Sequence, residues 1–420
     1  MKVIVVGAGI GGLTAALMLH KKGIKAEVYE QSPEVREVGV GINTLPHAIK
    51  ELADIGLLPA LDLVGVRTRE LYYYNRQGQE VWSEPRGVDA GHPVPQFSIH
   101  RGRLQKVIHD AVLAQLGPDS VKTGLSLSGF IQDEGGVTAH FTDSVKGGAG
   151  MTVRGDVLIC ADGIHSVGRR FFYPDEGAPH WNGVMMWRGA ADWTPWRDGR
   201  TMAIGGGMGA KFVLYPIAHA SNGRQLMNWV VNIKMADGEA SPPPKESWSR
   251  PAQRSLVLPY AKRFKIPDFD VNGLVEATQQ IFEYPMCDRD PLPRWTHGRV
   301  TLLGDAAHPM YPVGSNGASQ AVLDARALAD AMEKAEHPVQ ALTDYEKDRL
   351  PKTAEVVRLN RKGGPERVID EAEKRAPAGF EDINKVLSLA DRKAIVGGYA
   401  GKAGFATGEQ SAAELRVASG

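Results

Sequence analysis

The first apolar run of the chain, Lys2–Val6, is continuous rather than alternating, the pattern of a strand buried on both faces. Leu13, Ala16, Leu17 and Leu19 then fall at three-to-four spacing, which predicts a helix to about Lys22 that Gly23 ends. A second strand is predicted at Ala26–Tyr29, and helices at Pro46–Ile55 and Arg103–Leu116. Val121–Phe141 alternates around Gly135–Gly136 and reads as strands joined by a hairpin. Val153–Ile159 is another apolar strand. From Gly183 to Lys234 the pattern changes to aromatic-rich, strand-like segments separated by turn residues, an antiparallel sheet inserted into an α/β domain. Gly205–Gly209 has no helical pattern after it and reads as a flexible hairpin tip.

Farther on, Glu239–Arg254 is a Ser- and Pro-rich loop, and Asn272–Ile281 is predicted as a short helix. A strand at Val300–Leu303 runs into Gly304–Asp305 and a Pro- and Gly-rich loop from Pro309 to Gly317. The helix after it carries Ala318, Val322, Ala325, Leu328, Ala329 and Met332 as a buried stripe. Ala341–Arg361 is a charged helix, a peripheral helix is expected between Glu366 and Arg375, and the chain is expected to fray past about Gly397. The last twenty residues are not expected to contribute to chemistry. The fold class is therefore α/β, a Rossmann-like domain with an inserted antiparallel β-sheet domain and a C-terminal helical segment. The expected division assigns residues 1–75, 97–180 and 283–340 to the first, 76–96 and 181–282 to the second, and 341–420 to the tail.

Composition narrows the partners rather than the fold. Lys+Arg and Asp+Glu both number 49, so no global charge favours nucleic acid or an anionic membrane. Only two cysteines occur, Cys160 and Cys287, without metal-ligand spacing, which argues for a reducing compartment and no metal site. The N-terminal apolar run is broken by glycine too early for a signal peptide, and no stretch reaches the length of a membrane span. The expectation is a soluble cytoplasmic protein, monomeric or homodimeric, that acts on a small molecule.

Three acidic or glycine-rich corners carry the candidate chemistry. Gly7, Gly9 and Gly12 form GxGxxG between the first strand and helix, and Glu30 lies roughly twenty residues on, at the end of the second strand. In that arrangement Gly7 makes the tight turn, Gly9 admits a pyrophosphate, Gly12 lets helix and strand pack, and Glu30 holds ribose hydroxyls. The carboxylate favours FAD or NAD over NADP. Asp162–Gly163, at a strand end and followed by Ser166 and Arg169, is a second corner. Asp305 is the third; as an acceptor it suits a polyol, so a bound flavin would set its ribityl chain there and its ring near Pro312–Gly317. The helix start beyond that loop would stabilise negative charge on a reduced ring. Gly39 and Gly41 either allow close approach to a flat ligand or belong to a simple loop, and Arg101 either reaches cofactor phosphates or is solvated. Trp181, Trp187, Trp193 and Trp196 are core or sheet-face residues, with Trp187, Arg188 and Tyr215 the most attractive pocket candidates, because they pair apolar faces with polar tips.

Together GAGIGG with Glu30, DGIHSVGR at Asp162–Arg169 and GDAAHPMYPVGSNG at Gly304–Gly317 resemble the single-component flavoprotein aromatic hydroxylases, over roughly Met1 to Lys362. GVGIN near Gly41, WSEPRGV at Trp82–Val88, QFSIHRG at Gln96–Gly102, MWRG at Met186–Gly189 and YPMCDRDPLPRW resemble the phenazine hydroxylases within that group. The resemblance implies tightly bound FAD, NADH or NADPH as electron donor, and O2. Through a flavin C4a-hydroperoxide, the terminal oxygen would pass to an aromatic or N-heteroaromatic carboxylate, with or without loss of carbon dioxide. It implies that Arg36 and Arg101 lie near the flavin and its diphosphate, and that the Asp162 motif serves both FAD and the nicotinamide donor. It further implies that the Asp305 motif, with Asn316 and Gly317, holds the ribityl chain and the pyrimidine side. Pro312, Gly314 and Tyr215 are the residues it sets closest to the reaction. Asn43 occupies the position where nicotinate-type relatives have histidine, so that candidate base is absent, and His308 reads as structural. Two other readings stay open: an FAD-dependent dehydrogenase on the same fold, which substrate-stimulated oxygen uptake would exclude, and a non-catalytic binding protein, which a yellow purified protein would exclude.

Overall fold

A computed structural model of the chain describes residues 1–35, 37, 40–236 and 250–406. The apolar strand Lys2–Val6 lies at the middle of a five-stranded parallel sheet, ordered 300–302, 157–160, 2–6, 25–29 and 121–122. Helices Ile10–Lys21, Arg101–Leu116 and Gly317–Lys334 pack beside it, burying Ile4, Leu13, Val28, Leu158 and Val322 in one continuous core. The close approach is sterically enforced. A Cβ on Gly12 would sit 2.0 Å from the Gly7 carbonyl oxygen, so only glycine lets this helix start lie on its strand. An antiparallel three-stranded sheet (125–133, 136–143, 149–155) supplies the crossover, with the expected turn at Gly135–Gly136.

The inserted sheet has seven strands, ordered 281–288, 180–193, 225–234, 210–216, 201–205, 70–74 and 80–85. Every pairing is antiparallel except 201–205 with 70–74. Strand Glu70–Tyr74, which the sequence division assigned with residues 1–75, thus pairs inside the large sheet. Period-two alternation gives that sheet two distinct faces. One buries Trp187, Trp229, Phe212 and Val231 under helices Arg254–Ala261 and Val271–Ala277. The other carries Met186, Arg188, Val230, Val213, Tyr215 and Ile204 and faces a large cavity.

Four expectations differ from the structure. The helix expected over Asn272–Ile281 ends at Ala277: the Thr278 hydroxyl donates to the Leu274 carbonyl and accepts from Trp229 Nε1, and Ile281 opens an edge strand paired to Gly189. The helix Arg367–Arg375 is not peripheral, because Val368, Ile369 and Ala372 are buried against the large sheet. Nor does the chain fray at Gly397. Helix Leu389–Ala403 is capped by Ser388, ends at Gly404 in the left-handed region (φ 84), and buries Val396, Tyr399, Ala400 and Ala403. The hairpin turn after Gly205 is also tied down, its Met208 N–H donating to Asp370 at 2.9 Å.

One buried carboxylate joins the pieces around the cavity. Asp324, fully buried on helix Gly317–Lys334, accepts from His308 Nε2 at 2.5 Å and from the Gly304 N–H at 3.2 Å. Its other oxygen accepts from Arg349 Nε at 2.8 Å, and Arg349 Nη2 donates to Gln320 at 2.6 Å. Burial opposes its ionisation, but His308 and Arg349 prevail and hold its carboxyl below the usual range. A depressed carboxyl contributes stability that is present at neutral pH and lost as pH falls through the folded-state value. Asp324→Ala strands the buried Arg349 guanidinium and takes away the acceptor of His308 Nε2, so denaturant unfolding at pH 7 should show a loss of about 3–5 kcal/mol, shrinking in acid.

Candidate active site

A cavity of about 890 Å³ runs from the glycine loop past both acidic corners to the polar face of the large sheet. At its outer end Gly7 and Gly9 line it beside Glu30, whose two oxygens accept from the Ala8 N–H (2.8 Å) and the Ser32 N–H (2.7 Å). The carboxylate is thus aimed by its own loop. Gly12 does not line the cavity; it serves the packing role described above. Arg36 falls outside the described residues, as does Gly39.

Asp162 and Gly163 form the next stretch of wall. The Val167 N–H donates to Asp162 Oδ2 at 2.7 Å, while Oδ1 is buried without a hydrogen-bond partner, and burial raises this carboxyl. A buried orphan acceptor beside a cavity is the mark of a group that awaits a donor. Asp305 is exposed to the cavity, and desolvation inside it raises the carboxyl against the opposing pull of His308 and Arg101. Arg101, at the start of its helix, shares that wall; burial lowers it and Asp305 resists the change. Hydroxyl-rich and anionic parts of a dinucleotide match this sequence of acceptors and donors.

Deeper in, Gly41, Asn43, Pro312, Gly314 and Gly317 line the cavity with Arg188 and Tyr215. Gly41 is pressed to the sheet: its N–H donates to Asn228 Oδ1 at 2.7 Å, and an added Cβ would sit 2.5 Å from the Tyr215 ring. Asn43 is committed elsewhere, its Oδ1 accepting from Ser98 at 2.6 Å. Arg188 is buried, and burial together with the like charge of Arg101 pulls it down to about 9. A guanidinium keeps its proton in water, so the shift expresses a poorly solvated charge that an anion would relieve. The same sheet wall continues through Met186, Met202, Ile204 and Val213, with Lys211 and Glu366 joined in a buried ion pair.

Two assignments made from sequence do not hold. Trp187 is not in the cavity: alternation along its strand turns Met186 and Arg188 inward and stacks Trp187 on Tyr260 across the other face, at 5.4 Å between centroids. Asn316 is fully buried behind the loop, its amide donating to Tyr399 Oη at 2.8 Å and to the Gly314 carbonyl at 3.2 Å, so it shapes the loop rather than lining the cavity. Sequence reasoning missed Lys211, Glu366, Arg86 and Tyr399, all of which line the cavity. Lys211 was recoverable, since it alternates with Val213 and Tyr215 on one strand face; the tail residues gave no local signal.

A parallel sheet with a glycine fingerprint, two acidic corners on one cavity and an adjoining chamber define a flavin-dependent oxidoreductase. A family model described as FAD binding domain matches residues 1–360, and the chain belongs to that family. It is 42% identical over 392 residues to a phenazine 1,6-dicarboxylic acid hydroxylase of Lysobacter antibioticus, covering 92% of this chain and 94% of the relative. It is 30% identical over 369 residues to a 3-amino-4-hydroxybenzoate 2-monooxygenase of Streptomyces cremeus, covering 86% of both. Among solved structures, Klebsiella pneumoniae HpxO complexed with FAD and uric acid superposes with a TM-score of 0.74 at 25% identity, covering 96% of each chain. The protein is an FAD-dependent aromatic hydroxylase that draws on NAD(P)H and O2.

Hydroxyl donors from bound FAD should favour the ionised forms of Asp162 and Asp305, whose carboxyls are raised in the ligand-free fold. FAD uptake should therefore release protons, and affinity should fall as pH is lowered through the raised values. Calorimetry in buffers of different ionisation enthalpy checks this; Asp305→Asn should lessen both the proton release and the pH slope.

Proposed function

We propose that this enzyme hydroxylates a polycyclic N-heteroaromatic carboxylate of the phenazine type. The observation that carries the reading is Arg188: a buried guanidinium that lines the cavity with Met186, Val230, Val213 and Tyr215, as does the Pro312–Gly317 loop. A flat ring covers the apolar face, and its carboxylate relieves the buried charge. The name of the Lysobacter relative, which shares nearly the whole length of the chain, supports the same substrate class.

FAD, when bound, supplies the hydride acceptance from NAD(P)H and the activation of O2. The chain supplies everything else. Glu30, Asp162 and Asp305 accept hydrogen bonds from the cofactor's hydroxyls, with Arg101 and, outside the described residues, Arg36 toward its phosphates. Pro312 sets a small rigid ring and Gly314 bare backbone against the reacting edge, and Gly41 allows the sheet face to approach it. Arg188 anchors the substrate, Tyr215 packs on its ring, and Asn43 serves as wall rather than base. Closure of the sheet over the ring excludes water. The overall change consumes one NAD(P)H, one proton and one O2, and delivers one oxygen to the ring and the other to water. No side chain is required as a strong base when the ring is itself electron-rich. We place the enzyme in the cytoplasm, where NAD(P)H is available, as a monomer or homodimer acting on a small aromatic substrate.

The test is oxygen uptake and NAD(P)H oxidation by the purified yellow protein with phenazine mono- and dicarboxylates, with product masses recorded. A gain of one oxygen, or exchange of the carboxyl group for a hydroxyl, is expected. NAD(P)H oxidation without oxygen consumption would favour the dehydrogenase reading instead. Arg188→Met should raise the KM for carboxylate substrates roughly ten- to hundredfold, the span of one lost charge-assisted hydrogen bond, and should affect a carboxamide analogue far less.

A further inference from the structure

The C-terminal helix Leu389–Ala403 reaches back across the molecule to the loop Pro312–Asn316. That loop holds an uncommon conformation: Gly314 lies at φ 66 and Ser315, a residue with a side chain, at φ 58. Left-handed non-glycine backbone is strained and persists only where the surroundings over-determine it. Here Gln320 donates to the Asn316 side chain at 3.2 Å, and the tyrosine of the last described helix reaches the loop from the other side. Tyr399 is buried, lines the cavity, and has its hydroxyl at the centre of a closed set of hydrogen bonds. The hydroxyl accepts from Asn316 Nδ2 at 2.8 Å and donates to Asn360 Oδ1 at 2.7 Å, and Asn360 Nδ2 donates to the Tyr311 carbonyl at 2.9 Å. A Cβ on Gly314 would lie 2.4 Å from that hydroxyl, so glycine and tyrosine are matched in position. The same region grips the opposite wall. Gly364 packs against Val313 and the Tyr399 ring, and two residues on Glu366 pairs with Lys211 of the large sheet.

We propose that Tyr399 is a positioning residue for the flavin-facing loop: from the C-terminal helix its hydroxyl fixes Pro312–Asn316 and so holds the cofactor in register with the substrate wall. The inference rests on the assignment of that loop to the flavin. Its consequence is a partition. When cofactor and ring are in register the electrons of NAD(P)H end in product and water; when the loop is loose they end in hydrogen peroxide, with O2 taking both electrons and two protons. A displacement of about 1 Å is enough to lose most of a near-attack geometry.

Tyr399→Phe keeps the ring and removes the hydroxyl; Tyr399→Leu removes both. With holoenzyme, Tyr399→Phe is expected to weaken FAD binding roughly five- to tenfold, as loss of one or two buried hydrogen bonds implies. It should also alter the visible circular dichroism of the bound flavin and raise the peroxide formed per NAD(P)H oxidised. Tyr399→Leu should exaggerate all three. A Tyr399→Phe enzyme with wild-type FAD affinity, flavin dichroism and peroxide yield overturns the inference, as does a variant that loses only folding stability. Failure of the wild-type protein to bind FAD would instead overturn the assignment of the loop.

Discussion

Asp324 is the charge on which the site depends. Buried on the helix that follows the flavin loop, it is satisfied by His308 from the loop's start, by the Gly304 N–H beside Asp305 and by Arg349 from the next helix. Strand end, acidic corner, loop and two helices therefore meet on one carboxylate. Such a group is costly to bury and costlier to leave half-paired, which makes it a device for specifying one arrangement more than for adding stability. The Asp305 corner and the start of the loop after it are held from behind by this knot.

The second constraint is the parity of the large sheet. Because successive residues alternate faces, one register decides that Met186 and Arg188 enter the cavity and Trp187 does not. The same parity brings Lys211, Val213 and Tyr215 into one wall. That the sheet wall presents Arg188 among Met186, Val230, Val213 and Tyr215 follows from strand pairing. On the proposed reading this wall takes a flat anionic ring and presents it beside Pro312 and Gly314.

Much of this was legible in the sequence because it is local. GxGxxG with Glu30, Asp162–Gly163 and Gly304–Gly317 are short motifs whose geometry is carried by a strand, a turn and a helix start, and all three reach the same cavity. What stayed hidden depends on distant partners. Trp187 and Arg188 are adjacent in sequence, and which of them faces inward is decided by partner strands some forty to a hundred residues away. Asn316 sits inside a cofactor motif, yet its amide is spent on Tyr399, far along the chain. Helix Leu389–Ala403 carries Gly397, Gly398 and Gly401, which dilute its apolar stripe, so only the tertiary contact of Val396, Tyr399 and Ala403 reveals it.

The most direct measurement is a crystal structure of the FAD-bound enzyme with a phenazine carboxylate in the cavity. The account predicts the ligand ring on the sheet face of Met186, Val230 and Tyr215, with its carboxylate on Arg188 and the Pro312–Gly314 backbone on its far side. A ligand lying against the Trp187 face, or one whose carboxylate is held away from Arg188, would contradict it.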